Sequence, residues 1–454
     1  MGNQSKFLVN KVTGEVGFAE SLYQPTTTQE VVQLVKETAP KPLITIGGFT
    51  GLTGATFPQG EILVSLAKMN RILALDEETL TLTVEPGVSL QQIQTYLSQT
   101  PYFYAPDPGS KEASIGGTAA TNAGGMRAVK YGVTRDNIRG LEVVLASGEV
   151  LQVGGLNRKA SSGYDLKNLF IGSEGTLGII TKLQLRLLPK PALEQTLLIS
   201  FQDLNTLAPA VFQILASGLQ PVTLEFFEKE GIAYSEKLLA KKIPTITGNA
   251  YLLVTLAGEN QPKIQEQADQ LRLILTGQAE KILPLTPEVA QVVWQLRGAM
   301  VSGVEAVSQQ EPLDIVVPVN QITATIHFMK NLASKYELNG IFFGHAGDGN
   351  IHACIMREQL STKQWQGALA GFLAEMYQYV AQVKGLPSAE HGIGLLKKAF
   401  FKQNTDPALL ETMRAIKSAL DPQGRLNPNK IFDLIKDEPV LRSECDEQLV
   451  KAAE

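Results

Sequence analysis

Half of the glycines of this chain, 20 of 40, fall between residues 47 and 178, and most of those sit in three clusters. A glycine cluster constrains a fold strongly. The missing Cβ lets backbone approach a neighbour or a ligand closely, and successive bare amides form an anion-binding concavity. The first cluster, IGGFTGLTGA (Ile46 to Ala55), lacks the Lys-Ser/Thr pair of a Walker loop and does not follow the G-x-G-x-x-G dinucleotide fingerprint. Its amides would suit a diphosphate, and an ordinary turn would use the same residues. The second, PDPGSKEASIGGTAATNAGGMRAVKYG (Pro106 to Gly132), sets Thr118, Thr121 and Asn122 among paired glycines, which offers a polar cofactor hydrogen bonds without bulk. The third, SGYDLKNLFIGSEGTLGIIT (Ser162 to Thr181), adds Gly172, Ser173, Glu174, Gly175, Thr176 and Gly178. Three such segments so close together are hard to explain as turns.

The remainder of the chain sets limits on class. Its 454 residues suit two large domains or three smaller ones. Its 40 basic and 45 acidic side chains give a net charge of −5, with no block of like charge, which argues against a nucleic-acid binder. Two cysteines, Cys354 and Cys445, are too few for a disulfide framework or an iron–sulfur cluster and fit a reducing, cytoplasmic compartment. The N-terminus has no apolar stretch of the secretory kind, and Lys6 stands where a myristoylation motif beginning at Gly2 wants Ser or Thr. No run reaches the ~18 apolar residues of a membrane span, so the expectation is a soluble protein with any membrane role peripheral.

Short apolar runs broken by glycine from Leu43 onward read as strands, with Ser147-Gly148 marking a tight hairpin. SLQQIQTYLSQ reads as a helix capped by Ser89. Pro189 and Pro191 close this first part, and a new unit is expected near residue 192. There ALEQTLLISF, AYLLVTLAG and LDIVVPV alternate with helical stretches, which predicts an antiparallel sheet with helices on one face. A long helix from Trp365 to Val383 precedes a turn-rich closing segment.

The four histidines all lie beyond residue 326. In FFGHAGDGNIHACIM, a two-residue turn at Asp348-Gly349 would pair His345 directly with His352 on one face, with Cβ atoms ~4.5–5.5 Å apart. Such a pair can bind a metal or can simply stack. Glu390-His391 in AEHGIG adds a carboxylate and a third imidazole, and two histidines with one carboxylate suit a catalytic divalent ion with open positions, zinc, manganese or iron. His327 reads as a helix-face residue. Trp294 and Arg297 sit one helical turn apart, and an arginine there can fork to a substrate carboxylate or face solvent.

Taken together, PDPGS, IGG, ATNAGG, GYDL, LFIGSEGTLGIIT, HAGDGNIH, EHGIG and LDPQGRLNPNKIF resemble the FAD-dependent oxidoreductases of the vanillyl-alcohol-oxidase type. Within them they resemble the branch of D-lactate dehydrogenase, the glycolate oxidase flavin subunit and D-2-hydroxyglutarate dehydrogenase. The resemblance implies an α+β fold. Residues 1–191 would form most of a FAD-binding domain, 192–395 a substrate or cap domain built on an antiparallel sheet and carrying the metal site, and 396–454 a segment returning to the FAD domain. It implies FAD contacts at Gly47, Gly48, Thr50, Gly51 and Leu52 in the first cluster. In the second they would be Pro108, Gly109, Gly116, Gly117, Ala120, Thr121, Asn122, Gly124, Gly125, Tyr131 and Gly132. Gly172, Glu174, Gly175, Gly178, Ile179 and Ile180 follow in the third, and Asn427 in the tail. The family usually has glycine where Phe49 stands and a basic residue at Ile46. With no histidine in the N-terminal domain, the FAD is expected to be non-covalent.

The resemblance also implies His345, His352 and Glu390 as metal ligands, His391 as the proton acceptor, and Arg297 and Asn350 as substrate-site residues. The implied reaction is oxidation of a small D-2-hydroxy acid to the 2-oxo acid, with electrons passing through FAD to an external acceptor: a quinone, a carrier protein, a partner subunit or oxygen. D-2-Hydroxyglutarate dehydrogenases hold the distal carboxylate with a threonine and a lysine where an ungapped alignment places Val301 and Pro312, with Asp314 and Pro318 keeping register. Neither can hold a second charge, which favours glycolate or D-lactate and leaves D-2-hydroxyglutarate as the alternative. A metal-dependent hydrolase or lyase with a structural glycine-rich domain, or a non-catalytic flavin-binding subunit, would be the reading if flavin binding or turnover failed.

Overall fold

The structure, a computed structural model, describes residues 5–245 and 247–434. Gly2, Cys445 and the end of the closing segment lie outside the described residues. The chain divides into two compact units. One takes the residues up to Gly125, Tyr131–Lys190 and the segment from Glu390; the other takes Met126–Lys130 and Pro191–Ala389.

The first unit is built on two larger sheets and a two-stranded ladder of Tyr102–Phe103 with Leu188–Pro189. Five antiparallel strands run in the spatial order Ile72–Asp76, Thr81–Val84, Ile179–Arg186, Ile138–Val144, Val150–Gly154. The last two form the expected hairpin across Ser147-Gly148, with Gly148 at φ +81°. Helix Leu90–Leu97 starts at Ser89, whose side chain and that of Gln92 cap each other's backbone amides. It buries Leu90, Ile93 and Leu97, the positions its spacing selects, against Val84, Ile115 and Leu183. A smaller parallel sheet, Ser21–Tyr23, Ile62–Ser65 and Leu43–Ile46, packs against helix Thr28–Glu37.

The closing segment is an integral part of this unit. Leu43 and Asn427 exchange backbone hydrogen bonds with Arg425 and Leu43 at 2.7 Å, and the Arg425 guanidinium donates to Val35 and Ala146 carbonyls. Lys417 is buried and donates to the Thr176 and Leu426 carbonyls and to Asp421.

The second unit holds seven strands, each antiparallel to its neighbours, in the order Lys281–Pro284, Leu193–Phe201, Ala250–Gly258, Thr223–Glu228, Asn339–His345, Asn350–Met356, Gln310–Val316. Helices cover both faces, not one as the sequence suggested. Lys229–Leu239, Pro287–Gly298 and Met300–Glu305 pack on the side of Phe227 and Phe343, while Leu204–Ala216, Gln261–Ile274 and Ile322–Lys335 pack on the side of Phe226. The reason is visible in the strands. Leu197 to Phe201 and Ala250 to Leu256 are buried at every position, and a strand apolar on both alternations needs a cover on each face.

Among the described residues, no helix is long and apolar enough to cross a membrane.

Candidate active site

In the first unit the three glycine clusters and the tail come together. Gly47 and Gly48 pack so closely on Ser114 and Gly117 that a Cβ on either would lie within 2.7 Å of a neighbour. Ser114 Oγ accepts from the Gly48 and Gly117 amides, at 2.9 and 3.2 Å, and so joins the first cluster to the second. Gly116 abuts Pro86, and Gly125 abuts the Asp107–Pro108 backbone. The Ala119 and Ala120 carbonyls accept from the Gly172 and Glu174 amides, joining the second cluster to the third. Asn427 Nδ2 donates to the Glu174 carbonyl at 2.7 Å, joining the tail.

These contacts account for the close-packed glycines; others face open space. A Cβ on Gly51, Gly109 or Gly175 would meet nothing within 4 Å. The amides of Phe49, Thr50, Gly51 and Leu52 donate to no acceptor among the described residues, so the first cluster presents consecutive unpaired N–H groups of the kind a diphosphate accepts. Asn427 Oδ1 is buried and likewise without a partner. This is the chemistry a dinucleotide cofactor requires, and the segment residues fit it.

Several side chains have other duties. Asn122 caps a helix end at φ +52° and its Oδ1 accepts from Arg135 N. Thr121 Oγ1 bonds to Gly117, Tyr131 stacks edge-on to Phe103, and Ile179 and Ile180 lie in the core. Gly132 and Gly178 are held against Asp136 and Val143. Phe49 adopts φ +57°, a left-handed conformation that explains why glycine suits this position. Its ring packs edge-on against Phe7, 5.3 Å between centroids, which offsets the strain.

The second unit gathers His345, His352, Arg297 and Asn350. The hairpin register differs from the expected one. His345 pairs with Asn350 and Phe343 with His352 across a four-residue turn, Ala346 to Gly349. The ladder stops early because the Ala346 amide turns to the Leu224 carbonyl of the adjacent strand, at 2.8 Å, and Gly349 lies against Val317. The slip is of two residues in pairing, so side-chain parity is kept and the imidazoles still share a face, now diagonally. Their Nε2 atoms are 3.2 Å apart.

Glu225, a residue the sequence gave no reason to select, organises this group. It is fully buried on the strand beside His345, accepts from Arg297 Nη2 at 2.7 Å, and lies 2.7 Å from His345 Nδ1. A carboxylate here accepts only, so the proton sits on Nδ1 and the His345 Nε2 lone pair faces His352. Two nitrogens bound at ~2.0–2.1 Å to one ion lie roughly 2.8–3.4 Å apart for octahedral to tetrahedral angles. The imidazole pair fits a shared ion, and equally a shared proton. Arg297 lies over the Phe343 ring, 4.7 Å from its centroid, and its Nε is buried without a partner. Asn350 Nδ2 donates to Asp314 Oδ1 and the Ile315 carbonyl at 3.0 and 2.9 Å, which leaves its own amide oxygen for other use. Trp294 donates to Thr196 Oγ1, and His327 is exposed on its helix.

Glu390 and His391 belong to the first unit. Gly124 makes room there, since a Cβ on it would stand 2.9 Å from Glu390 Oε2. Glu174 faces the same loop, its carboxylate accepting from Ile393 and Gly394 amides at 2.7 and 2.8 Å. Burial pushes the Glu174 carboxyl up to about 7, against the pull of those amides and of Lys397 and Lys430. Its folded value exceeds its unfolded one, so it stabilises the protein below pH ~4.5 and that contribution is lost as pH rises through 7. Between these limits wild type should lose up to about 3 kcal/mol relative to E174Q. Denaturant melts of both proteins at pH 5 and pH 8 measure the difference, and parallel profiles would contradict it. Lys430, lowered by burial to about 8, titrates above this window.

A mixed-sheet unit with converging glycine clusters and unpaired amides, continued through a seven-stranded antiparallel unit, defines a flavoprotein of the vanillyl-alcohol-oxidase type. A solved p-cresol methylhydroxylase shares this fold, with a TM-score of 0.74 over 96% of this chain and 93% of that one, at 20% identity. Residues 19–154 match the FAD binding domain family and 190–431 match the family of FAD linked oxidases, C-terminal domain. A D-lactate dehydrogenase of Anaerostipes hadrus is 37% identical over 91% of this chain and 89% of its own length. The glycolate oxidase subunit GlcD of Bacillus subtilis (strain 168) is 33% identical over 91% and 89%. The chain belongs to the FAD-linked oxidases, a family of oxidoreductases.

Proposed function

We propose that the protein oxidises glycolate or D-lactate to the 2-oxo acid, with two electrons passing through FAD to an external acceptor. The observation that carries this reading is the His345–His352 pair, set by Glu225 beside an arginine with an unsatisfied Nε–H. FAD held by the glycine clusters and Asn427 supplies the acceptor for the hydride leaving C2. His345 and His352, with Glu390 assigned by its motif, would hold a divalent ion that polarises the substrate's hydroxyl and carboxylate oxygens. Arg297 offers Nε–H to a carboxylate oxygen, held in place by Glu225 and Phe343. Asn350, fixed by Asp314, presents its amide oxygen. His391 accepts the hydroxyl proton, for which an imidazole suits neutral pH.

The choice of substrate rests on two apolar side chains. Val301 packs against the second unit's core, and Pro312 sits across from Cys354 on the strand that carries Asp314. Neither donates a hydrogen bond, so a second carboxylate would go unmatched, at a cost of several-fold to a hundredfold in kcat/KM. Anaerobic reduction of the bound flavin by glycolate, D-lactate, L-lactate and D-2-hydroxyglutarate tests this. The monoacids should bleach it at least ~10-fold faster than the diacid. Preference for D-2-hydroxyglutarate would sink the assignment, and a flavin bleached by none of them would sink the reaction.

Reduced flavin needs a partner. Cys354, the one cysteine among the described residues, is buried with its thiol pushed up to about 12, unsuited to redox exchange. A quinone, a carrier protein, a partner subunit or oxygen fits as the acceptor.

A further inference from the structure

The loop that carries Glu390 and His391 runs on through two glycines. Gly392 and Gly394 stand at φ +83° and +54°, so backbone sterics permit many alternatives. Its far end is tied: the Leu395 and Leu396 amides both donate to the Thr53 carbonyl, and the Gly394 carbonyl accepts from Ile431 N at 2.9 Å. Between those ties and His391 stands Glu174, whose two carboxylate oxygens each take one of two consecutive amides, those of Ile393 and Gly394. The loop lies so close that a Cβ on Gly392 would fall 2.9 Å from Glu174 Cδ. Glu174 is itself fixed at both backbone ends, its amide on Ala120 and its carbonyl on Asn427. One side chain thus joins the second and third glycine clusters, the tail and the His391 loop.

We infer that Glu174 is a positioning residue for His391, clamping the Ile393 and Gly394 amides so that the imidazole two residues earlier is presented in one orientation. The inference rests on the reading of His391 as proton acceptor. Glutamine at this position keeps the size but offers one oxygen and one NH2, and an NH2 cannot accept from an amide. One clamp is lost, and the two glycines let the loop relax. A misplacement of about 1 Å at a proton-accepting group can cost ~10²-fold in rate.

The test is a double-mutant cycle on the full-length holoenzyme with E174Q, H391N and the pair, followed by anaerobic flavin reduction and flavin absorbance. Both carboxylate oxygens, the amide and the carbonyl of Glu174 bond within the protein, so the FAD contact expected of it from sequence does not use its side chain, and E174Q should slow reduction at saturating D-lactate or glycolate by ~10–100-fold with flavin content and the half-saturating substrate concentration unchanged within ~3-fold. In the H391N background the same exchange should change the rate by less than ~2-fold, because the group it positions is gone. Should E174Q fail to give folded flavoprotein, E174D takes its place, retaining the charge with the carboxylate drawn back by one methylene. Equal losses in both backgrounds, loss of flavin by the folded variant, or an E174Q at full rate would overturn the positioning role alone. An H391N at full rate would overturn the proton-acceptor assignment and this role with it.

Discussion

Exchange of His391 for asparagine should slow reduction of the bound flavin by ~10²–10⁴-fold, the usual range for removing a general base. Asparagine retains a polar side chain of similar reach but cannot take the proton that must leave the hydroxyl as the hydride leaves C2. Flavin content should be unaffected, because the exchange leaves the three glycine clusters and Asn427 unchanged. The residual rate should climb with pH more steeply than the wild-type rate, since hydroxide can replace the lost base. Stopped-flow reduction from pH 6 to 9 makes the comparison. An H391N that reduces its flavin within ~3-fold of wild type would remove the residue from the mechanism.

The second large effect concerns Glu225. Replacing it with alanine leaves the Arg297 guanidinium buried without its carboxylate and His345 Nδ1–H without its acceptor. Removing one partner of a buried ion pair costs ~3–5 kcal/mol, far more than the pair itself contributes. E225A should therefore unfold at clearly lower denaturant concentration. Pairing it with R297L should recover much of the loss, because the unmatched charge goes too. E225Q is expected to fold better than E225A but to bind zinc or manganese ~10–100-fold more weakly by calorimetry, since the carboxylate fixes the His345 tautomer. An E225A of wild-type stability, or an E225Q of wild-type metal affinity, would show that this carboxylate does neither task.

Much of the cofactor unit was legible in the sequence because its signals are local. The Ser89 cap, the Ser147-Gly148 turn and the three glycine clusters each depend on residues a few positions apart. The two-sided cover of the seven-stranded sheet is written in the unbroken apolar runs, which need a helix on each face. Ser114 carried a signal, a capping serine three residues before Gly117, but nothing local pointed to its bond with Gly48.

By itself the sequence determined which residue types were available: glycines where bare amides are needed, and a histidine pair whose separation of seven keeps both rings on one face in any hairpin register with an even number of turn residues. Tertiary structure decided what those residues meet. Glu225 reaches His345 across 120 positions and Arg297 across 72, and Glu174 reaches Ile393 across 219. Only the packing of strands, helices and loops from distant parts of the chain brings such partners together. The register of the His345 hairpin was settled the same way, by an amide drawn to the Leu224 carbonyl on a neighbouring strand. A hydrogen bond between distant segments has no period and no local spacing, so only the folded chain reveals it.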